Sequence, residues 1–440
     1  MRNSMTSLGN PGATIIPHIR GFAISSATLL VLILFVNPAL QAQQFSVIHS
    51  FTSMQGDGAG PVAGVTIGNG GVLYGTTEYG GTSDEGAVYE LVHQGSSWAV
   101  YPLYDFLNWR EYEFNGSEPI AGVVVGSDGK VYGTTYYGEE GFCNGPGCGT
   151  VFELTPLSMV CRTCYWSQRL LRNFAGSPDG SHPAYGSLIF DAAGNLYGTA
   201  SGGGANGVGA VFELTESDGG WMENIIYSFS NNGSDGTNPL SGLIFDTAGN
   251  LYGTTGSGGS RGIGTVFKLT PSGGGWTESI LYDFTVGTSG SGPIGTLIED
   301  PSGNLYGTTY GGGSLGEGGT VFELTPSNGG WNYSLVHSFS SCSPVSGVTM
   351  DAAGNLYGVC EVGGTYGDGT AYELTPSGGT WTLTDLHDFT GGSDGGNPEG
   401  LVTFAEGNLY GTAFAGGTLS DCSGSGCGTV WEISGLSGAR

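Results

Sequence analysis

Gly242-Leu-Ile-Phe-Asp246, Asn250-Leu-Tyr-Gly-Thr-Thr255, Gly264-Thr-Val-Phe-Lys-Leu269 and Trp276 to Phe284 are four short runs rich in Val, Ile, Thr, Tyr and Phe, separated by Gly, Asn, Asp, Ser and Pro. β-Branched and aromatic residues suit strands, and the punctuating residues suit tight turns. The pattern recurs on either side. Tyr74, Tyr132, Tyr197, Tyr252, Tyr306, Tyr357 and Tyr410 each sit in an L/V-Y-G core, at spacings of 58, 65, 55, 54, 51 and 53 residues. Four strands in a period of about 50 residues describe a propeller blade. No stretch carries a helical period. The fold expected is all-β, a seven-bladed β-propeller of four-stranded blades.

The ends of the chain predict how the ring closes. The seventh unit supplies Leu401–Phe404, Asn408–Thr412 and Gly428–Ile433 but no fourth strand. Phe45-Ser-Val-Ile-His-Ser-Phe51 matches Leu335-Val-His-Ser-Phe339 of the fifth unit. The N-terminal strand is therefore expected to complete the last blade and leave no sheet edge open.

The core N-L-Y-G-T-T (Asn250–Thr255), followed by G-G and G-T-V-F-E-L-T-P, resembles the GloVer tandem repeat of bacterial extracellular proteins across residues 45–434. The resemblance implies a β-propeller-like exported protein and implies no activity. Relatives often end in a sorting or anchor domain. This chain ends at Ser437-Gly-Ala-Arg440, so direct covalent anchoring is not expected.

Composition agrees. The 440 residues include 87 Gly, which suits many turns. Hydrophobic residues make up 38%, enough for a large core, so disorder is a poor reading. Arg2 and Arg20 precede an apolar run from Phe22 to Val36. The run falls short of the roughly 20 residues that span a membrane. Asn37-Pro38 ends it, and Ala39-Leu-Gln-Ala42 offers a cleavage site. The expected division is a signal peptide at 1–42, the propeller at 43–436 and a short tail at 437–440, with an uncleaved anchor as the alternative. Loss of 1–42 removes two Arg and no acid, taking the net charge from −28 to −30. Such a charge argues against nucleic acid and anionic membrane surfaces as partners. The mature protein is expected to be secreted or cell-surface, monomeric and not inserted in a membrane.

Most polar motifs repeat with the blades, and repetition argues for scaffold. Asp191, Asp246, Asp300 and Asp351 open D-x-x-G-N turns, where Asp can bond to backbone two residues on. Asp57, Asp179, Asp235 and Asp394 stand four residues before Pro61, Pro183, Pro239 and Pro398. The matching positions before Pro119, Pro293 and Pro344 are Asn115, Ser289 and Ser340, an exchange that suits turn acceptors better than Ca²⁺ ligands. Glu90, Glu153, Glu213, Glu323, Glu373 and Glu432 recur on the third strand and read as hydrogen-bonding or solvated groups, with Lys268 in the remaining unit. His49, His337 and His387 share a slot with Tyr104, Tyr227 and Tyr282 and read as outer-strand packing. His182 is the one His in a plausible site position, although a lone loop His is more often solvated. No H-E-x-x-H, G-x-S-x-G or phosphate loop occurs, and no cofactor or metal is expected.

Eight Cys suit an oxidising compartment. Cys143 with Cys148 and Cys422 with Cys427 hold the same place in two units and are expected to pair locally. Cys342 precedes the first strand of the sixth unit and Cys360 ends its second, so a hairpin brings them together. Cys161-Arg-Thr-Cys164 reads as a further bridged loop, with a redox pair or Zn²⁺ as weaker readings.

Function is expected where the repeat breaks. The loops Leu107–Glu118, Tyr136–Cys148 and Phe414–Cys427 fall on one face, in units that become neighbours when the ring closes. Trp109, Arg110, Tyr112, Tyr136 and Tyr137 are the candidate binding residues. Their flat faces and planar cation suit a glycan or a protein surface. Packing of the loop onto its blade is the structural alternative. No catalytic residue stands out. The reading is a non-enzymatic extracellular module for glycan or protein. A secreted polysaccharide hydrolase or lyase and a structural surface protein are the alternatives.

Overall fold

The computed structural model describes residues 43–436 except 54–55, 108–114, 139–142, 144, 146, 158–165, 184, 218, 286, 317, 419 and 421. Residues 1–42, expected to be a signal peptide, residues 437–440, Trp109, Arg110, Tyr112, Cys161 and Cys164 thus lie outside the described residues. Seven four-stranded antiparallel sheets form the blades of a propeller. Blade 4 shows the plan: Ile244–Phe245, Leu251–Thr255, Thr265–Ser272 and Gly275–Asp283, paired in chain order. The second strand is buried throughout, because neighbouring blades cover both its faces. The fourth alternates between exposed and half-buried residues along its first half.

The L-Y-G and V-F motifs explain each other. Gly253 and Phe267 are paired across the second and third strands, and a Cβ on Gly253 would come within 2.6 Å of the Phe267 ring. Glycine there lets a large ring lie flat on the sheet. Tyr89, Tyr372 and Trp431 occupy the ring position over Gly75, Gly358 and Gly411. These rings, with Phe51, Phe106 and Phe284 from the blade ends, are fully or almost fully buried in the clusters between blades.

The repeated carboxylates act as turn and strand ties. Asp246 Oδ1 accepts the N–H of Ala248 (2.9 Å) and of Asn250 (2.8 Å). Its Oδ2 accepts from the Asn250 amide (2.6 Å) and the Tyr252 hydroxyl (3.0 Å). Gly249 completes the turn at φ 81°. Burial opposes ionisation of Asp246, but these hydrogen bonds outweigh it and hold the carboxyl below its usual range. On the third strand, Glu213, Glu323 and Glu373 accept from Tyr197, Tyr306 and Tyr357. Before the interblade prolines, Asp57 and Asp235 accept backbone N–H groups from Thr52 (2.9 Å) and Ser230 (2.8 Å). They also reach the outer-strand slot. His49 and His387 hydrogen-bond Asp57 and Asp394, so these two rings are tethered as well as packed.

Blade 7 has the order Gln44–Ser50, Thr429–Ser434, Asn408–Ala413, Thr403–Ala405. Its junction with blade 1 uses the same bond as other junctions: Thr412 Oγ1 donates to the Ala63 carbonyl (2.9 Å), as Thr308 does to Ser346 (2.7 Å). Cys143–Cys148, Cys342–Cys360 and Cys422–Cys427 are disulfides. No helix among the described residues is long and apolar enough to cross a membrane.

Candidate functional site

One backbone contact builds the loop face. In each blade the residue after the second strand donates its N–H to the carbonyl of the residue before the interblade proline. The pairs are Glu78 to Gly60 (3.0 Å), Tyr136 to Glu118 (2.9 Å), Ser201 to His182 (3.2 Å), Gly256 to Asn238 (3.0 Å), Tyr310 to Gly292 (3.0 Å), Glu361 to Ser343 (3.2 Å) and Phe414 to Asn397 (3.0 Å). The loop between strands two and three is thereby brought beside the interblade segment. The short segments that follow each proline, Pro-x-x-Gly in five blades, Pro293–Thr296 in blade 5 and Pro398–Leu401 in blade 7, contribute from every blade to a central cavity of about 770 Å³.

Aligned by blade, the mouth of this cavity is asymmetric. The residue after the proline is Val62, Ile120, Leu240, Ile294 or Val345 in five described blades, and Glu399 in blade 7. The next residue is Ala, Ser or Gly in six blades and Tyr185 in blade 3. The residue before the proline has a left-handed backbone in six blades. Gly60, Gly292, Asn238 and Asn397 are natural occupants there, but Glu118 and His182 also sit at φ 54°. Tyr185 lies at φ 53°. Left-handed backbone costs a residue with a long side chain about 1–2 kcal/mol, so three strained side chains fall together on blades 2 and 3.

The strain at Tyr185 has a hydrogen-bond counterpart. Thr76, Thr199, Thr254, Thr308 and Thr412 each donate Oγ1 to a carbonyl of the next blade, two residues after its proline. Thr134 is the equivalent donor facing the Tyr185 segment. Its side chain is buried and its Oγ1 has no hydrogen-bond partner among the described residues. Tyr185 meanwhile lines the cavity and is 55% exposed.

Glu361 and Glu399 line this mouth, and Glu78 and Glu118 lie on the same loop face. Burial raises Glu399 to about 7, reinforced by the charges of Glu361 and Glu78. Burial likewise raises Glu118 to about 7, with Glu78 and Glu85 adding to it. Glu78 is raised by burial, against a hydrogen bond from Tyr79. Burial lowers His182, leaving a neutral imidazole at pH 7. Among the described residues, no group of His, Cys, Asp and Glu has the geometry of a metal site.

Of the residues expected from sequence, Tyr136 and Tyr137 stand on this face. Their ring centroids are 4.8 Å apart, and Tyr136 lies 4.8 Å from the His182 ring. Tyr136 also packs against Val62 and Ile120 at the cavity mouth. Trp109, Arg110 and Tyr112 belong to the segment outside the described residues, which leads into Asn115 and Glu118. Sequence reasoning missed Glu78, Glu118, Glu361, Glu399 and Tyr185. For Glu118, Tyr185 and Glu399 the signal was present in the columns around each proline, where a charge or a large ring replaces a small, apolar or turn-forming residue, whereas Glu78 and Glu361 stand in the column after the second strand, whose occupants already vary.

A family profile described as the Gloeobacter/Verrucomicrobia repeat matches residues 35–220 and 165–349. No curated protein sequence matches the chain. Among solved structures, a polysaccharide lyase of a new family, an ulvan lyase, is similar with a TM-score of 0.51 and 10% identity, covering 89% of this chain and 96% of that one. A provisionally assigned 6-phosphogluconolactonase of Bacteroides fragilis NCTC 9343 is similar with a TM-score of 0.50 and 14% identity, covering 79% and 94%. At these identities the likeness is one of fold.

Proposed function

The chain belongs to the Gloeobacter/Verrucomicrobia repeat family, and we propose that this member is an exported, non-enzymatic module that binds a glycan on the loop face of its propeller. The observation that carries this reading is the convergence of one-off residues at a single cavity mouth, on a scaffold that otherwise repeats. Tyr136 and Tyr137 supply flat apolar faces with polar edges, suited to sugar rings. Trp109 and Tyr112, which lie outside the described residues, have side chains of the same chemistry, and Arg110 beside them in sequence carries a planar donor fork. A protein partner would use the same aromatic anchors. Three disulfides fit an oxidising extracellular location.

A glycan array probed with the mature protein identifies the ligand. Trp109, Arg110 and Tyr112 are then changed together to Ala, and Tyr136 and Tyr137 in a second variant. Each variant is expected to lose at least tenfold in affinity while its thermal midpoint holds. Unchanged affinity in both would remove the loop face as the site.

Acid–base catalysis on a polysaccharide is the second reading. It is favoured by Glu118 and Glu399, whose carboxyls titrate near neutral pH as a general acid or base must. The fold shared with an ulvan lyase is compatible with it. Release of new reducing ends or unsaturated uronate from array-positive polysaccharides would establish it, and loss of that release in Glu399→Gln would place it.

A further inference from the structure

We propose that the central cavity holds a second subsite, built on Tyr185, for a sugar ring carrying a protonated amine. It rests on the glycan-binding reading and adds the class of ligand and a place for it. Tyr185 stands where six blades carry Ala, Ser or Gly, so its ring is an addition to the repeat, and it borders the 770 Å³ cavity. A tyrosine with one apolar face open to a cavity of this size suits stacking on a pyranose. Thr134, 2% exposed, faces the Tyr185 segment, and its Oγ1 has no hydrogen-bond partner among the described residues. The interblade bond made at five other junctions is absent here, so the backbone at Tyr185 lacks the tie that holds its equivalents to the preceding blade.

Charge selects the ligand. Glu361 and Glu399 line the cavity, and Glu78 acts electrostatically on both Glu399 and Tyr185. Among the described residues, no Lys or Arg lines it. The five described Lys and Arg stand elsewhere: Lys130 pairs with Asp128 and Glu153, Arg172 with Asp179 and Glu223, Arg169 donates to the Gly219 carbonyl, Lys268 lies over the Tyr252 ring, and Arg261 is exposed away from the cavity lining. A uronate or sulfated sugar would meet uncompensated carboxylates in a partly desolvated cavity, and a neutral sugar would gain only hydrogen bonds. An ammonium group on the ring gains charge-assisted hydrogen bonds and relieves repulsion among the carboxylates.

The test titrates mature protein with glucosamine oligomers, their N-acetylated counterparts and galacturonate oligomers, at low and moderate salt. Glucosamine oligomers are expected to bind at least tenfold more tightly than the other two, with affinity falling as salt rises. Tyr185→Gly keeps the left-handed backbone without strain and should fold normally, yet lose at least tenfold in glucosamine affinity. Glu399→Val restores the residue type of five other blades and should erase the preference over the N-acetylated oligomers. Equal binding of all three oligomers, or full affinity in Tyr185→Gly, would overturn the subsite. So would tighter binding of an oligolysine peptide, which would assign the acidic mouth to a protein partner. Glycan binding on the array that depends on Trp109, Arg110 and Tyr112 but ignores glucosamine would leave the loop-face reading standing and remove this one.

Discussion

Glu399 replaces an aliphatic residue at the mouth of the cavity, and its cost should be visible in the pH dependence of stability. Its folded carboxyl titrates at about 7, as does that of Glu118, against about 4.3 in an unfolded chain. The native state therefore holds protons that the unfolded state has released between those values. The associated stability is fully present below about pH 4 and is lost as pH rises through 7. Glu278 and Glu223, raised by burial to about 7 and about 8, act in the same direction. Asp191 and Asp246 act oppositely, but their depressed values confine the loss to pH below the ordinary Asp range. The thermal midpoint should peak in mild acid and fall from pH 5 to 8, and Glu118→Gln with Glu399→Gln should flatten that fall. A midpoint that climbs steadily over this range would contradict the assignment. Thr308→Val should cost about 1 kcal/mol for its lost interblade bond, whereas Thr134→Val, with no bond to lose, should cost nothing.

The elements were the most legible part of the sequence. L-Y-G-T-T followed by G-T-V-F-E-L states strand, turn and strand in residues whose β preference and punctuation agree, so local pattern and tertiary structure do not compete. The D-x-x-G-N turns followed from side-chain chemistry alone. The disulfides at Cys143–Cys148 and Cys422–Cys427 followed from their equal place in two units. Each closes a short loop, so reduction of either should lower stability by no more than about 2–3 kcal/mol, read as a modest drop in midpoint with the fold intact. A loss of the native circular dichroism spectrum on reduction would contradict that. Gln44–Ser50 lies beside Thr429–Ser434 with one bulge between Val47 and His49. Its deletion is expected to lower the midpoint sharply, because the largely buried strand Thr429–Ser434 would become the open outer edge of blade 7. An unchanged midpoint would show that closure adds no stability.

At the scale of the molecule, sevenfold repetition made the architecture readable and hid the site. Each carboxylate seen in several units was rightly a tie within the scaffold, as Asp246 and Glu213 show. Glu399, Glu118 and Tyr185 are single departures in columns that lie far apart in the chain, and only the closed ring makes them neighbours. Their strain and raised carboxyls depend on burial, which no spacing in the sequence reports. The most direct measurement is hydrogen exchange on the mature protein with and without its array-identified glycan. Protection is expected at residues 117–137, 182–187 and 397–401, with the D-x-x-G-N turns at Asp191, Asp246 and Asp351 unchanged. Protection confined to those turns, or to the outer strands, would place binding away from the cavity mouth and contradict the assignment of function to the loop face.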